Sequence, residues 1–280
     1  MRLSGRARRV TTQVRAPGPA LRLLSYNIRH CRGMDGCVAL DRIAAVIDAC
    51  RPDIVALQEV DAGRARTGGL DQARALANRV GLHDHFHAAL RVGEERYGDA
   101  ILTRHPSHLV RAGGLPGMPG LEPRGALWIE VSVGTHRLQV LNTHLGLRAA
   151  ERSVQVAALL GPDWLGSAEA RGPVVLMGDM NATPWSRAYR QLARTLTDAR
   201  RIAHQRAGNA TFPSRCPVLR LDHVFVGAGI TVDRVMVLRD GLARNASDHR
   251  PLLAEIGLPA ETRDVHGALG SPSGSAALTA

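Results

Sequence analysis

Asp179 and Asn181 place a carboxylate and a carboxamide two residues apart in the stretch PVVLMGDMNAT, residues 173–183. Residues 173–177 are a continuous apolar run rich in Val and Leu, the pattern of a strand buried on both faces. Where such a strand runs out into a Gly-containing turn, two polar side chains can point together into a cleft from a rigid mount. The same two residues can also simply cap a turn. What the pair is worth depends on what the rest of the chain brings to it.

The chain brings Asn27, Glu59, His144, Asp222, Asp248 and His249, each beside the end of an apolar segment. Glu59, Asp248 and the Asn27 carboxamide offer hard oxygen donors, which favour Mg²⁺ or Mn²⁺ with several waters retained; zinc would want more nitrogen or sulfur. A hydrated divalent cation held by few carboxylates is the usual partner of a substrate phosphate. His249 is a candidate acid or base, and Asp222 a partner able to fix its tautomer. Singly, each residue has a plain structural account. Glu59 can be a solvated residue after a strand, His144 can satisfy loop backbone, and Asp222 can pair with Arg220 on the surface. Strand after strand ending in a metal-ligating or acid–base residue is not explained that way. His30, Cys31 and Cys37 lack a fourth ligand at zinc spacing.

The elements that must position these groups follow from periodicity. Residues 21–26 read as a strand ending at Asn27, 39–50 as a helix closed by Pro52, and 53–58 as a buried strand ending at Glu59. A helix over 71–80 stops at Gly81, a short strand covers 98–103, and the Gly- and Pro-rich residues 111–125 read as a loop. Strands over 126–133 and 137–142 flank a turn and run into His144; a helix over 149–160 leads to the 173–177 strand. Residues 221–226 form a strand carrying Asp222, and the loop 245–251 leads into a strand at 252–256. The strand–helix–strand unit occurs twice, which predicts two facing sheets with helices outside and the polar groups gathered at one rim. Residues 1–20 and 257–280 read as a disordered arm and tail around one catalytic domain over 21–256.

Composition narrows the function classes. With 280 residues and 45% hydrophobic content the chain can bury a large single-domain core. The net charge of +11 invites a nucleic-acid reading, but all 36 basic residues are arginine, and Arg2, Arg6, Arg8, Arg9 and Arg15 crowd the N-terminal arm. Aromatic residues make up 3%, too few for a platform that stacks single-stranded bases. The four cysteines form no CxxC pair and read as reduced thiols. The basic N-terminus carries no apolar leader core and no stretch reaches membrane-spanning length, so the expectation is a soluble cytoplasmic protein.

The ordered set YN, LQEV, NTH, GDMN, LDHVF and SDHRP, spread over about residues 21–256, resembles the endonuclease/exonuclease/phosphatase superfamily. That superfamily includes DNase I-like nucleases, abasic-site nucleases, neutral sphingomyelinases and inositol polyphosphate 5-phosphatases. The resemblance implies an α/β fold, a four-layered α/β/β/α sandwich of two mixed sheets flanked by helices, with activity that requires a divalent metal, Mg²⁺ or in its place Mn²⁺. It implies Glu59 as principal metal carboxylate with Asn27 and Asp248, and Asp179 as the group that orients or deprotonates the attacking water. Asn181 and His144 become donors to the non-bridging phosphate oxygens. His249, steadied by Asp222, contacts the phosphate as base or as electrophile, and Arg124 in EPRGAL, which stands where many relatives place an arginine, becomes a contact to the substrate phosphate. Ile28 and Arg29 follow YN where some DNA-repair members supply a further acid, and the DNA-inserting loops of abasic-site nucleases are not evident. The expected function is hydrolysis of a phosphate ester, as phosphodiesterase or phosphatase on a small molecule or phospholipid head group. The alternatives are a DNA or RNA nuclease and a binding protein of the same fold without catalysis. Oligomeric state is not encoded in these patterns.

Overall fold

A computed structural model of the chain describes residues 18–259; the arm and tail expected at the ends lie, apart from their innermost residues, outside the described residues. β1 (Ala20–Asn27), α1 (Leu40–Cys50), β2 (Ile54–Ala62) and α2 (Gln72–Val80) come first, followed by β3 (His83–Val92) and β4 (Glu95–Thr103). A second run holds β5 (Ser107–Gly114), β6 (Gly125–Val133), β7 (His136–His144), α3 (Ala149–Leu159), β8 (Val174–Asp179) and α4 (Arg187–Thr195). The short β9 (Thr197–Asp198), α5 (Ala199–Ile202) and β10 (Gln205–Ala207) lead to β11 (Asp222–Val226), β12 (Thr231–Val237), α6 (Gly241–Ala246) and β13 (Leu252–Gly257).

The strands form two mixed sheets, one of seven in the order β10-β12-β13-β1-β2-β4-β3 and one of six in the order β5-β6-β7-β8-β11-β9. Period-two alternation sorts their apolar side chains into three cores. Leu21 and Leu23 of β1, Leu127 and Ile129 of β6, and Val175 and Met177 of β8 meet between the sheets. Leu24 and Tyr26 of β1 turn outward against Ile43 and Ile47 of α1 and Leu76 of α2. Trp128 of β6 and Leu176 of β8 turn outward against Val156 and Leu159 of α3 and Leu192 of α4. Because both faces of the central strands are covered, their sequences read as unbroken apolar runs. The layers are helix, sheet, sheet, helix, as expected.

A buried polar link ties the sheets together beneath the rim. Gln58 Nε2 donates to Asn142 Oδ1 at 2.8 Å, and Asn142 Nδ2 donates to the carbonyls of Leu57 and Ala100, both at 2.8 Å. Each of these groups would otherwise be unpaired in the inter-sheet core, a cost of about 1–3 kcal/mol apiece.

Several expected boundaries shift. β1 starts at Ala20 and β13 ends at Gly257, with Ala20 paired to Gly257, and the buried Leu258 donates its N–H to the Pro19 carbonyl at 3.0 Å, so the packed structure extends two residues past 21–256 at each end. β5 runs to Gly114, into the stretch expected to be loop, because an edge strand whose side chains are largely in solvent carries no apolar alternation. β3, β12, α4 and α6 were not legible as elements; β3 is likewise an edge strand, with most of its side chains only part-buried. Among the described residues, no helix is long and apolar enough to cross a membrane, and all four cysteines are free.

Candidate active site

The inter-sheet faces of the strands are apolar through the core and become polar at one rim. In β7 the face that carries Val140 in the core goes on to Asn142 and His144; in β8, Val175 and Met177 are followed by Asp179. His144 is register partner to Asp179 across the parallel β7–β8 pair, and Asp222 is partner to Asp179 across the antiparallel β8–β11 pair. Three functional side chains therefore stand in a row across three neighbouring strands. The row needs Gly178, whose φ is +145° and whose place would set any Cβ against the Thr143 carbonyl. Asn181, at φ 45°, then turns the chain back over the row, a left-handed conformation that asparagine tolerates better than most residues.

Glu59 reaches the cleft by a different device. It is not at a strand end, as expected, but inside β2, where the pairing with β4 slips between Leu57 and Val60. Its φ is 58°. Simple alternation would turn Glu59 toward the helices with Leu57; the extra residue of the bulge turns it to the cleft instead. A positive φ on glutamate stores backbone strain of about 1–2 kcal/mol, which the surrounding strands hold in place.

Asp179 Oδ2 is the hub of the contacts. Asn27 Nδ2 lies 3.1 Å from it, and His144 Nε2 and His249 Nε2 each lie 3.5 Å from it. Asn27 Nδ2 also donates to Glu59 Oε1 at 3.0 Å, while Asn27 Oδ1 accepts the Arg29 backbone N–H at 3.1 Å. His249 Nδ1 meets Asp222 Oδ2 at 2.9 Å, and its ring packs on Phe212 with centroids 4.9 Å apart. Burial alone would lower the His249 pKa, but the Asp222 and Asp179 carboxylates outweigh it and push the ring up to about 10. His249 is thus an imidazolium held between two carboxylates. Arg220, offered above as a surface partner for Asp222, pairs instead with Asp198.

His144 is in the opposite state. Burial, the largest cause, lowers its pKa to about 3, with Asp179 opposing and Arg124 and His249 assisting. Arg124 is buried, pairs with Glu122 at 3.0 Å and approaches His144 Nδ1 at 3.0 Å. A guanidinium can only donate, so Nδ1 accepts and the ring proton sits on Nε2. Asn181 Nδ2, anchored on the Leu145 carbonyl at 2.8 Å, lies 3.0 Å from that same Nε2. Two donors thus converge beside Asp179 Oδ2, an arrangement able to receive an oxygen of a substrate phosphate.

Asp248, next to His249, forms an ion pair with Arg29 at 3.4 Å. Ser247 Oγ donates to the Asn27 carbonyl at 2.7 Å, which ties the SDHRP loop to β1. Burial raises the Glu59 pKa, with the like charges of Asp248 and Asp179 adding to it and the Asn27 bond opposing it. A cation would relieve that repulsion, and the donors are hard oxygens, so the residues fit a divalent ion of the Mg²⁺ class. The Asn27 NH₂ group faces the Glu59 and Asp179 carboxylates. Asp179, Asp222 and His249 also bring ligand atoms within 4.8 Å of one another. That trio is already joined by its own contacts, and Glu59, Asn27 and Asp248 are further residues that could hold a metal.

One residue of the site escaped the sequence reading. Asp99, in the middle of β4, lines a small cavity with Tyr97, Arg124 and His144. Burial, against the pull of Arg124 and with Glu59 and Asp179 adding, raises its pKa to about 8, and its Oδ1 has no hydrogen-bond partner. An acid inside the apolar segment YGDAIL was the available signal.

The chain belongs to the endonuclease/exonuclease/phosphatase family, whose model matches residues 24–249. Members of this family are generally phosphoester hydrolases, typically dependent on a divalent metal. Among curated proteins it is similar to YbhP of Escherichia coli (strain K12), 32% identical over 171 residues, covering 59% of this chain and 64% of YbhP. The chain thus matches less than two thirds of that relative's length. An endonuclease/exonuclease/phosphatase family protein of Bacteroides thetaiotaomicron shares the fold with a TM-score of 0.73 at 20% identity, covering 87% of this chain and 99% of that one. A mannosyl-6-phosphatase of the same organism does so with a TM-score of 0.69 at 20% identity, covering 84% and 99%.

Proposed function

We propose that this protein is a Mg²⁺-dependent hydrolase of phosphate esters, a phosphodiesterase or phosphatase acting on a small molecule or a phospholipid head group. The observation that carries the reading is the convergence of Asn27, His144 and His249 on Asp179 Oδ2, with Glu59 alongside. Asp179 orients a water and takes its proton as the water oxygen bonds to phosphorus and the ester P–O bond breaks. His144 Nε2–H and Asn181 Nδ2–H donate to the non-bridging oxygens as charge grows on them, and the His249 imidazolium, held by Asp222, adds a positive charge at the same place. Glu59, Asn27 and Asp248 would hold the metal, which supplies Lewis-acid polarisation of the phosphate. Arg124 acts through His144, whose tautomer it fixes. Arg29, opposite Asp248, stands where a second cation would be repelled.

The test is a panel of phosphomonoesters, phosphodiesters, phospholipids and plasmid DNA, each with Mg²⁺ and with EDTA. Mg²⁺-dependent turnover of at least one ester supports the reading, and undiminished turnover in EDTA overturns the metal requirement. The net charge of +11 favours a nuclease as second reading. A nuclease neutralising several backbone phosphates loses orders of magnitude in affinity between low and moderate salt, whereas a single-phosphate substrate does not.

A further inference from the structure

The three most exposed large apolar side chains among the described residues are Trp185 at 79%, Leu147 at 72% and Val218 at 71%. Singly exposed apolar residues are ordinary. The location of these is not. Leu147 lies on the loop that leaves β7 past His144, Trp185 on the loop that leaves β8 past Asn181, and Val218 on the loop that runs into β11 at Asp222. β7, β8 and β11 are adjacent strands, so the three loops are neighbours at the catalytic rim. The first two are joined by the hydrogen bond from Asn181 Nδ2 to the Leu145 carbonyl at 2.8 Å, and the starts of α3 and α4 beyond them line one cleft of about 200 Å³.

Exposed arginines accompany the tips: Arg148 beside Leu147, Arg187 at the start of α4 two residues past Trp185, and Arg215, which donates to the Met34 carbonyl, near Val218. Arg148 and Arg187 make no ion pair among the described residues. Apolar tips interleaved with unpaired cations suit an interface where hydrocarbon meets anionic head groups. A tryptophan is well matched to that depth, with an apolar ring and one N–H donor.

We propose that this rim docks on an anionic phospholipid surface, with Trp185, Leu147 and Val218 inserted among the head groups and the catalytic cleft opening onto the membrane plane. The choice of a lipid head group as substrate rests on the hydrolase reading above; the docking itself does not. Three apolar tips among arginines favour reversible, salt-sensitive association rather than permanent anchoring.

The experiment uses intrinsic fluorescence of the full chain. Of its three tryptophans, Trp128 and Trp164 are buried, so a change on adding vesicles reports Trp185. Vesicles of phosphatidylcholine containing phosphatidylglycerol should shift the emission to the blue and sediment the protein, and 1 M salt should weaken both. Trp185→Ser and Leu147→Ser should each lower sedimentation by at least about fivefold while leaving turnover of soluble bis(p-nitrophenyl) phosphate unchanged. The absence of a blue shift and of sedimentation with the anionic vesicles overturns the proposal. So does a blue shift that grows with protein concentration in vesicle-free buffer, which would assign the patch to a second copy of the chain. Failure of the hydrolase reading would look different: no ester turned over, with vesicle binding intact.

Discussion

Asp222 stands directly opposite Asp179 across the antiparallel strands β11 and β8, and His249 reaches both carboxylates, at 2.9 Å and 3.5 Å. Like charges facing each other across a strand pair destabilise a sheet. The imidazolium resolves the conflict, and the two acids in turn keep the ring protonated. The three residues therefore act as one unit. We expect His249→Ala to lower kcat/KM severely and Asp222→Asn to lower it less, because the ring still occupies the site and Asp179 still favours its charged form. The double mutant should be little worse than His249→Ala. Multiplicative losses in the double mutant would show that the residues work independently.

Glu59 sits in a strained conformation beside two other acids, and its pKa is raised by burial and by those charges. A carboxylate whose folded pKa lies above its unfolded value contributes stability below the unfolded pKa and loses it as pH rises through the folded one. At pH 7 without metal, the charge on Glu59 is therefore a cost. Glu59→Gln should raise Tm in EDTA while strongly increasing the Mg²⁺ concentration needed for turnover. A lower Tm in EDTA, or an unchanged metal requirement, would contradict the account.

Much of the rim was legible because its residues interrupt apolar runs. His144, Asp179 and Asp222 each stand at one end of a strand buried on both faces, so a polar residue there marks a boundary between core and cleft. The bulge that aims Glu59 was not legible, since it exists only as a mismatch between β2 and β4 and no local pattern encodes the partner. Gln58 and Asn142 belong to the motifs LQEV and NTH, yet their work is to pair with each other across the sheets, at a sequence separation of 84. The edge strands β3 and β5 hid for the opposite reason: partly solvated side chains relax the alternation on which strand recognition depends.

The Asn181 backbone, at φ 45°, donates its N–H to Asp179 Oδ1 at 2.9 Å, and its side-chain Nδ2 is anchored on the Leu145 carbonyl at 2.8 Å. If its N–H is used as charge develops on the phosphate, Asn181→Ala should lower kcat by about 10²-fold or more with little change in KM. Asn181→Gly separates this from backbone strain, because glycine keeps the turn and removes the donor; it should lose as much activity. A defect confined to KM would reduce Asn181 to ground-state binding.

Acid stability should follow the buried neutral histidines. His223 Nε2 meets the Ala182 carbonyl at 2.7 Å, and its Nδ1 meets Arg220 Nη2 at 3.1 Å, so the ring is neutral with its proton on Nε2. Burial first, and then the Arg220 charge, lower its pKa to about 4. Between about 6.5 and 4 the unfolded chain binds a proton that the folded chain refuses, so stability falls as pH drops through that window, by at most about 1.4 kcal/mol per pH unit for one histidine. His144, lowered to about 3, adds to the slope with the same sign. His249, raised to about 10, acts at the other side: its contribution is complete below about 6.5 and is lost as pH rises toward 10. Asp99, raised to about 8 chiefly by burial, opposes His223 and His144, since its contribution grows as pH falls from 8. The two histidines together outweigh it below about 6.5, so thermal melts of the metal-free protein should fall toward pH 4, and His223→Gln, whatever its absolute Tm, should flatten the acid limb. An acid limb as steep in the variant as in the parent would mean that His223 is already protonated in the folded state.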